Sequence, residues 1–226
     1  MSVLEIRNVS YVYQSKYQTT EALKNVSVSF EKGSVYAVTG KSGSGKTTLL
    51  SLMAGLDLPS EGEILCEGVS TKEMDLQKYR RTKAAVIYQS FRLLPLLTVA
   101  ENIMFPMELS GKNRKEARKE ALELMKRVSL PSSYANRFPS MLSGGEQQRA
   151  AIARALAMNT DLLLADEPTG NLDSANSRNI MEILTKLAHE EGYCVIIVTH
   201  DPAIANASDH VIRMNDGKID NGTESA

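Results

Sequence analysis

Gly40-Lys41-Ser42-Gly43-Ser44-Gly45-Lys46-Thr47 is the stretch on which the reading of this chain turns. It fits G-x-x-x-x-G-K-[ST], the pattern of a loop that cradles phosphate. Val35–Thr39 before it reads as a short buried strand, and Thr48–Ala54 after it as the first turns of a helix. Glycines let the backbone curl so that successive N–H groups converge on phosphate oxygens, and the helix adds the positive end of its dipole. In that setting Lys46 reaches the β- and γ-phosphates, and the Thr47 hydroxyl holds Mg²⁺. With glycine near 7% of residues, a chance match in a chain of 226 residues has a probability of roughly 1%. A nucleotide site on a strand–loop–helix unit is therefore expected.

Working outward, 226 residues suit one large domain or two small ones. Apolar residues make up 42% and charged residues 23%, ordinary values for a globular protein. A net charge of −1 gives no electrostatic footprint for nucleic acid or an acidic membrane. Cys66 and Cys194 lie far apart without metal-ligand spacing, and Cys194, beside the apolar run Val195–Val198, reads as a buried thiol in a reducing compartment. His189, His200 and His210 form no metal pattern. No apolar stretch reaches the roughly 18 residues that span a bilayer, and the N-terminus lacks secretory character. The expectation is a cytoplasmic chain whose membrane role, if any, comes through a partner.

Before the phosphate loop, Val3–Arg7 and Ala22–Val28 read as strands, with a turn at Glu31–Gly33. Glu63–Cys66 and Ala84–Gln89 read as further strands. From Ser90 to about Met158 the chain is expected to be helical throughout. Within it, Asn113–Val128 is amphipathic, with Ala117, Ala121, Leu124 and Val128 on one face, and a second helix runs from Ser143 to Ala157. Strand–helix alternation then returns: Leu162–Ala165, Ala175–Glu190, Cys194–Thr199, and a short helix from Pro202. Val211–Met214 and Lys218–Ile219 flank the turn Asn215–Gly217, and Asn221–Ala226 reads as a loose tail. The organisation is one α/β nucleotide-binding domain over 1–226, with an early β-rich portion and a helical insertion at about 90–158.

Asp161–Glu167 is an apolar strand that ends in two carboxylates. Open α/β sheets bind ligands at the carboxyl ends of their strands, which brings Asp166 and Glu167 beside the phosphate loop. Asp166 suits the Mg²⁺ shell; Glu167, directed the other way, suits a base that orients attacking water. Leu142-Ser143-Gly144-Gly145-Glu146-Gln147-Gln148-Arg149 is the second unusual stretch. Its bland reading is a helix N-cap. Its sharper reading is a second anion site made by Ser143 and the Gly144 and Gly145 amides, serving an ATP held by another copy.

With these motifs in order, the chain resembles the nucleotide-binding subunit of ABC transporters over essentially its whole length. The resemblance covers the Walker A loop Gly40–Thr47, a Q-loop glutamine at Gln89, the signature Leu142–Arg149, Walker B Leu162–Glu167, a D-loop at Asn171-Leu172-Asp173 and a switch histidine, His200. Ala165–Asp173 and Gln89–Pro95 look most like the lipoprotein-release, macrolide-exporter and bacitracin-exporter branch. Implied is a P-loop (RecA-like) core with an N-terminal antiparallel β-subdomain and an inserted helical subdomain. Two copies would pack head to tail, each ATP lying between Walker A of one and Ser143–Gly145 of the other. Thr48 and Gln147 join the nucleotide-binding positions. Tyr13 matches the aromatic that stacks on adenine, with Tyr11 as the alternative. Gln89 would touch Mg²⁺ and the attacking water. His200 would hydrogen-bond the γ-phosphate and hold the Glu167 side, its alternative being a cap for the helix at Pro202. Asp173 would cross to the opposite Walker A loop. Lys41 departs from the small residue or proline usual in that loop.

Phe91–Leu97 reads either as core or as an exposed groove; in the family this segment receives the coupling helix of the permease. The expected partners are a second copy, an integral membrane permease on a separate chain, and a possible periplasmic or extracellular accessory protein, with the chain peripheral on the inner face of the membrane. A soluble ABC protein of DNA repair or translation would carry a coiled-coil insertion or a tandem cassette, and neither is present. A small-molecule kinase or GTPase leaves Leu142–Arg149 unexplained, and no Asn-Lys-x-Asp guanine reader occurs. An ATPase that transmits force through a membrane partner without transport, as cell-division relatives do, stays open.

Overall fold

A computed structural model describes residues 2–15 and 18–220; the expected tail Asn221–Ala226 lies outside the described residues. Strands β1 (Ser2–Gln14) and β2 (Thr19–Glu31) form an antiparallel hairpin, longer at both ends than the apolar runs predict. β4 (Glu61–Cys66) pairs with the other edge of β1 and carries β5 (Val69–Ser70), giving the order β2-β1-β4-β5.

The second sheet contains β3 (Val35–Thr39), β6 (Ala84–Tyr88), β7 (Leu162–Asp166), β8 (Cys194–Val198), β9 (His210–Asn215) and β10 (Lys218–Ile219) in the order β10-β9-β3-β8-β7-β6. All its pairings are parallel except β9 with β10. The central strands read as unbroken apolar runs because both faces are covered. Along β7, Leu163 and Ala165 join one core while Leu162 and Leu164 join the other; Val195 and Ile197 against Cys194 and Ile196 divide likewise on β8.

One core is closed by α1 (Lys46–Met53) and the β1–β2–β4 sheet, with Tyr79 of α2 (Leu76–Thr82) donating its hydroxyl to the Met53 carbonyl. Helices α3 (Val99–Leu109), α4 (Arg114–Arg127), α5 (Gly144–Leu156) and α6 (Ser174–Glu191) close the other. Reciprocal caps set two of their starts: Thr98 with Glu101 for α3, and Ser143 with Glu146 for α5. α6 runs from Asp173 to Gly192, whose φ of 78° is the left-handed stop that glycine takes without strain. The last helix, α7 (Pro202–Asn206), leads into β9.

The expectation of helix throughout Ser90–Met158 needs correction. Ser90–Leu97 is irregular, and Ser129–Leu142 holds only two single-turn 3₁₀ pieces. Prolines at 95, 131 and 139 remove the backbone donors that continuous helix requires. Both cysteines are buried, and burial pushes the Cys66 thiol up to about 11 and the Cys194 thiol to about 12.

Candidate active site

The parallel register aligns the carboxyl ends of four strands. Val38 of β3 faces Val198 of β8, Val198 faces Asp166 of β7, and Asp166 faces Tyr88 of β6. The phosphate loop, Thr199–His200, Asp166–Glu167 and Gln89 therefore leave the same edge of the sheet. A cleft of about 810 Å³ opens there, lined by Tyr13, residues 40–43 and 45–48, Asp166, Glu167 and His200 among others.

The loop has the shape its glycines dictate. Gly40, Gly43 and Gly45 have φ of 150°, 81° and 99°. A side chain at Gly40 would begin 2.3 Å from the Met214 carbonyl oxygen, so glycine is required there by space as well as by backbone. Gly45 begins α1 with no side-chain cap, leaving the first-turn amides directed at the cleft. Lys46 Nζ donates to the carbonyls of Gly40 at 2.7 Å and Lys41 at 3.0 Å. Ser44 is buried and does not line the cleft, and the Lys41 side chain is exposed. An uncapped helix start, a curled loop and a lysine held only by neutral carbonyls together fit a polyphosphate.

Glu167 sits at φ 46°, a strained conformation for a residue with a side chain, and its N–H donates to Val198 O at 2.9 Å. Its carboxylate is held twice: Thr199 Oγ1 donates to Oε2 at 3.1 Å, and His200 Nδ1 lies 2.6 Å from Oε1. A carboxylate oxygen only accepts, so this contact places the imidazole proton on Nδ1. Thr199 itself is buried and is not among the site residues expected from the sequence. Its place between an apolar strand and His200 was the available signal. The cap of α7 is Asp201, whose carboxylate accepts from Ala203 N at 2.8 Å, so the alternative cap role for His200 falls away.

Burial, with the Glu167 charge behind it, holds the Asp166 carboxyl above the ordinary range, while Arg92 and Lys46 pull the other way. Mg²⁺ keeps most of its waters and takes one or two protein oxygens, and the Thr47 hydroxyl and Asp166 carboxylate on one cleft supply that number. A raised folded-state pKa contributes stability below the ordinary carboxylate range that is lost as pH rises through the folded value. Asp166→Asn is therefore expected to raise the thermal midpoint of the metal- and nucleotide-free protein at neutral pH by a few degrees, the gain shrinking as pH falls into the carboxylate range. Calorimetry over a pH series checks it; a lowered midpoint at neutral pH contradicts it.

The two tyrosines differ in surroundings. Tyr13 is half exposed, lines the cleft, and has its hydroxyl 3.2 Å from Thr48 Oγ1. Tyr11 packs its ring edge-on at 4.9 Å from Tyr13 and donates to Asp57, a bond that pushes its hydroxyl up to about 12. Other expected residues stand apart from the cleft. Gln89 Nε2 donates to Asn171 Oδ1 at 3.4 Å, since β6 lies three strands from β3. Ser143 caps α5, and a side chain at Gly145 would begin 2.1 Å from Asn176 Oδ1, so the Asn176 side chain would have to shift to admit one. Gln147 Nε2 donates to Leu142 O at 3.1 Å. Asp173 spends both carboxylate oxygens on Asn176 at the start of α6.

A parallel sheet with a glycine-curled loop running into an uncapped helix, and a carboxylate pair at the next-but-one strand end, define a P-loop nucleoside triphosphatase. The sequence profile of the family described as ABC transporter matches residues 23–170, and the chain belongs to that family. It is 42% identical over 219 residues to YclH of Bacillus subtilis, an uncharacterised ABC transporter ATP-binding protein, covering 97% of this chain and 96% of that one. It is 41% identical to the macrolide export ATP-binding/permease protein MacB of Mannheimia succiniciproducens, covering 99% of this chain but 35% of MacB. Among solved structures, the dimeric ABC transporter cassette MJ0796 superposes with a TM-score of 0.89 at 40% identity, covering 98% of both chains. A second structure of that cassette, described as a post-hydrolysis dimer bound to ADP and Pi, matches equally. The family assignment makes this chain an ATP-binding and ATP-hydrolysing cassette.

Proposed function

We propose that this chain is the ATPase subunit of an exporter of the macrolide, antimicrobial-peptide or lipoprotein-release type, closing on a second copy and driving a membrane permease on a separate chain. One observation carries the hydrolytic part: Glu167 lines the same cleft as Lys46 and is held by Thr199 and His200. Lys46 and the loop amides grip the β- and γ-phosphates. Tyr13 offers its ring to adenine. Thr47 and Asp166 would hold Mg²⁺, which when bound neutralises charge on the transferring phosphoryl group. Glu167 orients and deprotonates the attacking water, and His200 keeps the carboxylate aimed.

The parts standing outside the cleft support a site shared between two copies. Ser143–Gly145 would meet the partner's phosphates, and Asp173 and Gln89 would act on closure. The dimeric state of the MJ0796 cassette supports this reading. Exposed Leu94, Phe105 and Leu109 line an apolar groove that suits a permease helix, and Leu96, two residues beyond Leu94, is 87% exposed. No helix among the described residues is long and apolar enough to cross a membrane. The chain is accordingly proposed to sit on the inner face of the membrane through that permease. MacB, which carries permease and ATP-binding parts in one chain, supports the exporter branch.

The test is a pull-down of tagged Glu167→Gln from its native membranes with ATP and Mg²⁺. Co-purification of a multi-span membrane protein is expected, and its extracellular domain would point to the cargo. Recovery of ribosomes, DNA or soluble partners alone would overturn the transporter reading.

A further inference from the structure

The segment Ser90–Leu97 leaves β6 beside the site and passes along the apolar groove into α3. It concentrates backbone strain: Phe91 and Arg92 are consecutive non-glycine residues at φ 57° and 47°. Left-handed backbone at such residues persists only where the surroundings over-determine it. Arg154, in the last turn of α5, supplies the restraint. Its Nη1 donates to the Arg92 carbonyl at 2.6 Å and its Nη2 to the Phe91 carbonyl at 3.1 Å. These partners are carbonyl dipoles rather than a carboxylate, and burial holds the guanidinium below the usual arginine range.

The clamped turn touches the site from two sides. The Phe91 ring lies 3.7 Å from where a side chain on Gly144 would begin, at the start of α5. The Arg92 guanidinium sits 3.9 Å over the ring of Tyr88, the register partner of Asp166, and its charge reaches Asp166. Beyond the turn, buried Asn102 accepts from Leu94 N at 2.7 Å and spans the carbonyls of Leu94, Leu97 and Thr98. The groove is lined by Arg154 together with Leu94, Phe105 and Leu109. One side chain thus holds the strained turn next to Gln89 and forms part of the groove wall.

We propose that Arg154 is a positioning residue for ATP hydrolysis. By holding two left-handed carbonyls it fixes the Gln89–Arg92 turn against the Asp166 end of β7, and it makes movement of the groove and placement of that turn a single motion. The inference rests on the hydrolytic reading above. Losing Arg154 frees two carbonyls that water can satisfy, so the fold is kept while the turn relaxes. The phosphate loop lies at the other side of the site and is untouched. The loss therefore falls on kcat and not on nucleotide affinity.

The test compares wild type, Arg154→Lys, Arg154→Gln, Arg92→Gly and the Arg154→Gln/Arg92→Gly pair. It reads steady-state phosphate release, binding of a fluorescent ATP analogue with Mg²⁺, and circular dichroism. Arg154→Lys and Arg154→Gln are each expected to lose about tenfold or more in kcat, with the analogue's Kd within about twofold of wild type. Lysine does not rescue, because one ammonium cannot reproduce the planar fork. In the Arg92→Gly background, where glycine relieves the second of the two left-handed residues and only Phe91 stays strained, loss of Arg154 is expected to cost less than about threefold. A kcat within twofold of wild type in Arg154→Gln overturns the inference. So does a rise in Kd that matches the fall in kcat, an equal cost in both backgrounds, or loss of the fold in both Arg154 single variants. A wild-type chain that fails to hydrolyse ATP overturns the proposed function itself; unchanged variants of an active wild type overturn only the role of Arg154.

Discussion

Glu167→Gln is expected to lower kcat for ATP hydrolysis by about 10²- to 10⁴-fold, the usual cost of removing a general base, while nucleotide affinity stays within about twofold. The side chain is replaced by one of the same shape, so the strained φ of 46° and the Val198 hydrogen bond are kept. An amide oxygen still accepts from Thr199, but the amide NH₂ cannot take a proton from water. It also meets the Nδ1 proton of His200, donor against donor, and forces the imidazole to its other tautomer or away. Lys46, Thr47 and the loop amides are unaltered, which is why binding survives. Phosphate release at saturating ATP, paired with titration of a fluorescent analogue, separates the two effects. Turnover within a few-fold of wild type would sink the role of Glu167.

Legibility in the sequence followed how local the determining physics is. The phosphate loop needs glycines at fixed offsets and a strand before it, and each of these is written in consecutive residues from Val35 to Met53. β7 and β8 were readable because strands buried on both faces are continuous apolar runs, and the cap at Ser143 and the apolar face of Asn113–Val128 marked α5 and α4 to within a residue. The bounds of α3 were missed although Thr98-x-x-Glu101 is a capping-box spacing, because the whole of Ser90–Met158 was expected to be helical and no start was set within its first part. α2 buries a single residue, Tyr79, and so carries no apolar period. In the site, Asp166 and Glu167 followed from strand ends, whereas the grip of Thr199 on Glu167 depends on the register of β7 with β8, which adjacent residues do not encode. The contact of Tyr11 with Asp57, 46 residues away, and the hold of Arg154 on residues 62 and 63 positions earlier were invisible for the same reason.

Lys46→Ala is expected to weaken binding of Mg-ATP about 100-fold or more. Lys46 Nζ rests on the Gly40 and Lys41 carbonyls, so the ammonium is held at the mouth of the loop with no carboxylate to surrender. Exchanging two neutral acceptors for phosphate oxygens turns bonds charged at the donor alone into bonds charged at both ends, and hydrogen bonds to charged groups are worth about 1.5–3 kcal/mol each. Losing even one at the upper end of that range is about 100-fold in affinity. The fold should tolerate the change, because alanine is the best helix former and position 46 opens α1. Unchanged circular dichroism is therefore part of the expectation. The Lys46→Arg variant keeps the charge, but its guanidinium needs more room than the loop leaves, with Gly40 already closed in by Met214, so it is expected to rescue little. Calorimetric titration with Mg-ATP measures all three proteins. Affinity of Lys46→Ala within about threefold of wild type would remove the loop from the phosphate-binding role, whatever its shape.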